Sequence, residues 1–335
     1  MDILKTLQTL NACHGPSGDE RGVADAIEAL ARPYADDISR DIMGNLIVHK
    51  KGPGPRIMFA AHMDSIGFIV THIDDKGYLR VGRLGGLSPN SCLHTPVRFK
   101  NGVKGVVALD SDVEEKKMTL ADLYIDIGAK DKAEAEKMVK LGDTAVYDGP
   151  AVALGDRLSS PYMDNRISCV TLLMALERLQ ESRNDLYFVF TVQEEVGTRG
   201  ARPAAYGIDP QYGIAVDVTG TSDELNDDSH GATSVLGGGA AIKVMDSSVI
   251  AHPQMVQRLE ALAKQRGIKA QVDILRYGGT DAGAIRQSRG GVYTGGVSIP
   301  CRYVHSPVEM VDTGDVEACA ALLAAFAQCE LNEGL

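Results

Sequence analysis

An α/β/α sandwich with a mixed sheet, carrying a small inserted β-barrel, is the fold the sequence predicts. Two observations carry that expectation. Strand-like and helix-like segments alternate over residues 1–66 and again over 157–335. Between them, 67–156 reads as many short strands joined by tight turns, the texture of a small barrel. The 335 residues suffice for about two domains without disulfide staples.

Each element has a local reason. Ile3, Leu4, Leu7 and Leu10 recur at helical spacing. Ser17 and Glu20 stand at capping-box spacing ahead of Val23, Ile27 and Leu30, so a second helix is expected to run to Arg32, before Pro33. Residues 38–42 and 45–49 flank Met43-Gly44 as a hairpin. The apolar run RIMFAA, 56–61, reads as a buried strand that ends at His62. In the insertion, Asp75-Lys76-Gly77 and Asn101-Gly102 are turn signals, and only one short helix is expected, around 133–139. After it come an amphipathic helix at 164–179 and strands at 186–192, 212–216 and 240–244. A helix over 253–266 ends at Gly267, and strands follow at 271–275 and 292–299. Thr313 is expected to cap the last helix, with Asp315 and Glu317 in its first turn, where the helix dipole favours acids.

Composition narrows the function classes. With 44% hydrophobic and 24% charged residues, the chain fits neither a disordered protein, a collagen nor a coiled coil. Its 34 basic and 45 acidic residues give a net charge of −11, which disfavours nucleic acid or an anionic membrane as partner. The cysteines at 13, 92, 169, 301, 319 and 329 form no CxxC pair and read as reduced thiols. The N-terminal stretch lacks the apolar core of a signal peptide. The longest apolar run, 318–327, falls short of the ~18 residues that cross a bilayer. A soluble cytoplasmic protein is therefore expected.

The chemistry gathers beyond strand ends, where open α/β sheets bind ligands. One strand delivers His62 and Asp64, the next Glu194 and Glu195, a third Asp217, and the last leads to His305. Asp164 opens the helix after the insertion. One divalent ion needs three or four ligands. Two ions sharing a carboxylate need about five and leave acids free for other work, so the count suits a two-metal hydrolase. His62 and Asp64 share a face of an extended chain, so the acid can orient the imidazole. Glu194 and Glu195 point apart, so one can ligate while the other faces a water. Taken singly, each residue also has an ordinary reading. H-x-D arises by chance, Glu194-Glu195 is a solvated strand end, Asp164 and Asp217 are helix caps, and His305 is a loop histidine. P-loop, HExxH and GxSxG patterns are absent. The YGGTDAG turn at 277–283 lets Thr280 or Asp281 cap a short helix, but residue types alone assign it no chemistry.

Seven segments resemble the M42 family of dinuclear metallo-aminopeptidases, which includes the tetrahedral TET assemblies. They are PSGDE near the start, AAHMDSIGF (60–68), PYMDNR (161–166), QEEVGTRGA (193–201), AVDVT (215–219), YGGTDAGAI (277–285) and SIPCRYVHSPVEMVD (298–312). The resemblance implies two divalent ions per subunit, zinc, cobalt or manganese. It implies His62 and Asp217 on one ion, Glu195 and His305 on the other, and Asp164 bridging. Glu194 resembles the general base, and Asp64 the acid that orients His62. Residues 1–66 and 157–335 then form the catalytic domain, and 67–156 a PDZ-like barrel used for dimerisation. The partners implied are peptides with a free N-terminus and copies of the chain, from a dimer up to a tetrahedral dodecamer. The chain departs from the family in the 85–99 stretch, where Leu93-His94-Thr95 stand, and it has no tryptophan. Three rival functions remain: an N-acyl amino acid deacylase of the M20 type, a carbohydrate hydrolase built on two acids, and a metal-binding scaffold without catalysis.

Overall fold

The computed structural model of the chain describes residues 1–225 and 233–331. The first section comprises helices α1 (Ile3–Ala12) and α2 (Arg21–Ala31) and strands β1 (Asp37–Arg40), β2 (Leu46–Lys50) and β3 (Arg56–His62). Six strands follow: β4 (Gly67–Ile73), β5 (Leu79–Leu84), β6 (Pro96–Phe99), β7 (Lys104–Leu109), β8 (Leu123–Asp126) and β9 (Thr144–Tyr147). They close into an antiparallel barrel in the order β4-β5-β8-β7-β6-β9. The short helices α3 (Pro89–Cys92) and α4 (Lys132–Met138) decorate it. The rest of the chain supplies β10 (Val152–Leu154), β11 (Arg157–Ser160), α5 (Met163–Glu177), β12 (Asp185–Thr191), α6 (Ala201–Ile208) and β13 (Tyr212–Gly220). Then come β14 (Ala240–Met245), α7 (Pro253–Arg266), β15 (Ala270–Ile274), α8 (Asp281–Arg286), β16 (Tyr293–Arg302), β17 (Glu309–Asp312) and α9 (Thr313–Ala327).

Among the described residues, eleven strands build one mixed sheet, ordered β1-β2-β12-β3-β13-β16-β17-β11-β10, with β14 on β16 and β15 on β14. Strand β10 lies within the 67–156 stretch yet belongs to this sheet, paired with β11. The middle of the sheet is parallel, β12 with β3, β3 with β13, and β13 with β16. Alternation along β3 shows why both faces are covered. Ile57, Phe59 and Ala61 enter one core, while Met58 and Ala60 enter a second core under α6 and α8. Phe59 stacks on Phe188 at 5.1 Å and meets Phe326 edge-on at 6.4 Å. Burying a side chain of that size is worth about 1.5–3 kcal/mol, so this layer anchors the sheet. The barrel has its own core around Phe68, Val97, Val107 and Ile125.

Three local expectations are corrected. Ser17 does not cap α2, whose N-cap is Glu20 without a side-chain bond. Its hydroxyl instead donates to Asp64 Oδ2 at 2.6 Å. The last helix is capped by Asp312, which accepts from the Gly314 amide, because Thr313 is already helical. Strand β13 does not end at 216. It leaves β3 after Ala215 but stays paired with β16 through Gly220, so Asp217 lies inside a strand. The hairpin at 38–49 forms as expected, its tip held by Asp41 accepting from the amides of Met43, Gly44 and Asn45. All six cysteines are unpaired. Among the described residues, no helix is long and apolar enough to cross a membrane.

Candidate metal centre

The parallel strands deliver their ends to one rim, and there the residues meet. His62 closes β3, 2% exposed. Glu194 and Glu195 follow β12, and Asp217 sits where β13 parts from β3. His305 occupies the β16–β17 loop with φ +64°. Asp164 lies at a break in the first turn of α5, with φ −77° and ψ 102°, so it is not the helix cap. A cis peptide joins it to Asn165.

The Asp164 carboxylate spans the two histidines. Its Oδ1 lies 3.1 Å from His62 Nε2, and its Oδ2 3.2 Å from His305 Nε2. Asp217 Oδ1 stands 3.7 Å from His62 Nε2, and Glu195 Oε2 3.2 Å from His305 Nε2. Glu194 Oε2 is 4.0 Å from His62 Nε2. His62, Asp164 and Glu195 present one ligand atom each, all within 4.8 Å of one another, the one such group among the described residues. Asp164 Oδ1 and Glu195 Oε1 are buried and take no hydrogen bond, an orphaned pair that a cation would satisfy. Imidazole nitrogens and carboxylate oxygens are the donor set of zinc, cobalt and manganese, so the residues present fit a divalent ion.

Three residues set by the rest of the fold hold this group in place. Asp64 is fully buried, 3.4 Å from His62 Nδ1 through Oδ1. It also accepts from the amides of Glu194 at 2.9 Å and Glu195 at 3.2 Å, while its backbone carbonyl lies 3.1 Å from His62 Nδ1 and takes the ring's hydrogen bond, so one residue orients the histidine and the acidic turn together. Glu20 accepts from the amides of Gly18 at 2.7 Å and Gln193 at 3.1 Å, which together with Ser17 accounts for the PSGDE segment. The fully buried Arg166 donates to the carbonyls of Met63 (2.8 Å), Leu10 (2.8 Å) and Gly15 (3.0 Å), tying α5 to the His62 turn.

The barrel reaches into the same site. His305 Nδ1 faces the Gly86 carbonyl at 2.9 Å. A carbonyl only accepts, so Nδ1 carries the proton and Nε2 is left as the ligand atom. A Cβ at Gly86 would lie 2.7 Å from that ring nitrogen, and one at Gly85 would lie 3.0 Å from Glu195 Oε2. Neither the Gly86 carbonyl nor Glu309, described below, was reachable from the strand-end pattern.

Electrostatics follow from burial and crowding. Burial raises Glu194 well above the usual carboxyl range, with only His62 opposing strongly. It likewise lifts Glu195 to about 7, helped by the Asp164 charge. Burial disfavours the charged form of His305, but its bonds to Asp164 and Glu195 win and push it up to about 12. Burial would raise Asp164, but the imidazoles of His305 and His62 facing it win and hold the carboxyl below its usual value. A cation entering here therefore displaces protons from histidine and carboxyl alike.

A cavity of about 590 Å³ opens over the group, its far wall formed by Val218, Thr219, Leu275, Tyr277 and Val304. A larger groove of about 720 Å³, lined by Lys100, Glu136, Lys140 and Asp143, runs along the barrel and gathers no comparable ligand set. The YGGTDAG turn forms part of the cavity wall. Thr280 caps α8 and donates to Asp246 at 3.1 Å, and Asp281 takes a bond from Thr191 at 2.5 Å.

The sequence model of the M42 glutamyl aminopeptidase family matches residues 44–322, covering the barrel and every residue of the rim. The chain belongs to the M42 peptidase family. The lysyl aminopeptidase of Pyrococcus furiosus is 38% identical over 90% of this chain and 90% of its own. Among solved structures, the aminopeptidase of the archaeon Desulfurococcus kamchatkensis superposes with a TM-score of 0.95 at 39% identity, covering 98% of this chain and 95% of that one. The TET1 peptidase of Pyrococcus horikoshii, which can assemble into a tetrahedron or a large octahedral shell, does so with a TM-score of 0.88 at 33% identity. That match covers 98% of this chain and 100% of the TET1 chain. This M42 member is therefore an exopeptidase of a metallopeptidase family, and the mixed sheet with its barrel is the fold of TET aminopeptidases.

Proposed function

We propose that this chain is a dinuclear metal-dependent aminopeptidase that releases N-terminal residues from peptides with a free N-terminus. One observation carries the reading: the Asp164 carboxylate spans His62 and His305, with Asp217 beside the first, Glu195 beside the second, and Glu194 left over. His62 and Asp217 would hold one ion, Glu195 and His305 the other, and Asp164 both. When bound there, such ions would supply Lewis acidity toward the scissile carbonyl and toward a water. Glu194 accepts the proton of the attacking water and returns it to the leaving amine. Asp64 holds the His62 ring and the Glu194-Glu195 amides, so base and ligands keep one register.

In the same reading, 1–66 and 157–335 form the catalytic domain, and 67–156 serves subunit contacts in a cytoplasmic homo-oligomer. The tetrahedron that the Pyrococcus horikoshii TET1 peptidase can form, and a similar TET1 structure that is a dodecamer, support a homo-oligomer from a dimer up to a tetrahedral dodecamer. Zinc, cobalt and manganese all suit the ligand set. The test compares p-nitroaniline release from Glu-, Leu- and Lys-p-nitroanilides with release of the free amino acid from N-acetyl-Glu, N-acetyl-Leu and N-acetyl-Lys, using chelated and metal-restored protein. Release from the free-amine compounds alone, restored by metal, is the expected outcome. Preferential cleavage of N-acyl amino acids would replace the reading with a deacylase.

A further inference from the structure

We propose that Glu309 is the positioning residue that sets the two halves of the metal centre in register; the inference rests on the metal-binding role assigned to the rim. Glu309 opens β17, 2% exposed, and touches none of the ligand side chains' donor atoms through its own carboxylate. Both of its oxygens are committed to backbone. Oε1 accepts from the His305 amide at 2.6 Å, and Oε2 accepts from the Asp164 amide at 2.9 Å. These two residues belong to segments 145 and 4 positions away, and their side chains face each other at 3.2 Å.

Neither segment is held by regular structure at that point. His305 has φ +64° and Tyr303 φ +59°, a left-handed backbone that is uncommon for residues with a side chain. Asp164 has extended ψ inside a helix turn. One buried carboxylate that accepts from both amides fixes the distance between the two backbones. It does for the Asp164–His305 pair what Asp64 does for His62 and the Glu194-Glu195 turn. The two carboxylates therefore act as matching clamps, one on each side of the centre. Such outer partners usually change metal affinity 10–100-fold when replaced.

The experiment titrates the metal-free protein with zinc against a chromophoric chelator, comparing wild type, Glu309→Gln and Glu309→Asp. The glutamine keeps the volume but puts a carboxamide NH2, a donor only, where one backbone amide needs an acceptor. The aspartate keeps the charge but draws it back by one methylene. The expected result is zinc affinity lower by about 10–100-fold in E309Q, with a smaller loss in E309D. Excess zinc should restore most of kcat, with KM for the peptide little changed, as a positioning role requires. Wild-type zinc affinity in either folded variant overturns the proposal, as does a kcat that excess zinc cannot raise. Affinity is read without turnover. A wild-type chain that binds zinc but cleaves no peptide would sink the aminopeptidase reading and leave the Glu309 comparison standing.

Discussion

Glu194→Gln is expected to keep both metals and to lose at least about 100-fold in kcat, the usual scale for a missing general base. The amide matches the carboxylate in size and keeps its own backbone bond to Asp64, so the turn it sits on is undisturbed. What it cannot do is take a proton. The side chain is nearly buried, at 12% exposure, so few waters are placed to substitute for it. Metal content by elemental analysis and kcat on a p-nitroanilide check the two halves of the expectation. Near-normal turnover would remove Glu194 from the role of base. Loss of metal would make it a ligand instead.

Asp164→Ala is expected to be the more damaging change. Among the described residues, the carboxylate is the one group that meets both histidines, at 3.1 and 3.2 Å. Without it, His305 keeps Glu195 and His62 keeps Asp217, but nothing joins the two pairs. Metal per chain should fall from two to one or none. Removing a charge clamp worth several kcal/mol corresponds to a loss of roughly 1,000-fold or more in kcat/KM. Asp164→Asn, which keeps the shape and removes the charge, should sit between alanine and wild type. Two metals per chain in the alanine variant would contradict a bridging role.

Much of this was legible before any coordinates, and for a physical reason. Parallel strands buried on both faces read as apolar runs, and the residue that ends such a run lies on the binding rim. His62 after RIMFAA, and Glu194-Glu195 after LYFVFTV, are of that kind. The strand-end pattern brings Asp217 to the rim for a partly wrong reason. It does not follow its strand but lies within it, because β13 stays paired with β16 past the point where its pairing with β3 stops. Ser17 resembles a cap because a hydroxyl three residues before a glutamate fits that pattern, whereas its actual partner, Asp64, lies 47 residues away. Glu309 was invisible for the same reason. Its work is to accept from two amides, one of them 145 residues distant, and nothing local marks a glutamate at a strand start for that task. The Gly86 carbonyl that faces His305 is a backbone group, which no side-chain pattern announces. Residue types reveal the groups that do chemistry, whereas the groups that hold them depend on long-range closure of the chain.

The central claim is that two metal ions, not one, make the site active. The most direct measurement strips the protein with chelator and follows p-nitroanilide hydrolysis as zinc, cobalt or manganese is returned in sub-stoichiometric steps. The account predicts no activity in the stripped protein and full activity only as the ratio reaches two ions per chain. A plateau at one ion per chain, or hydrolysis that survives complete removal of metal, would contradict it.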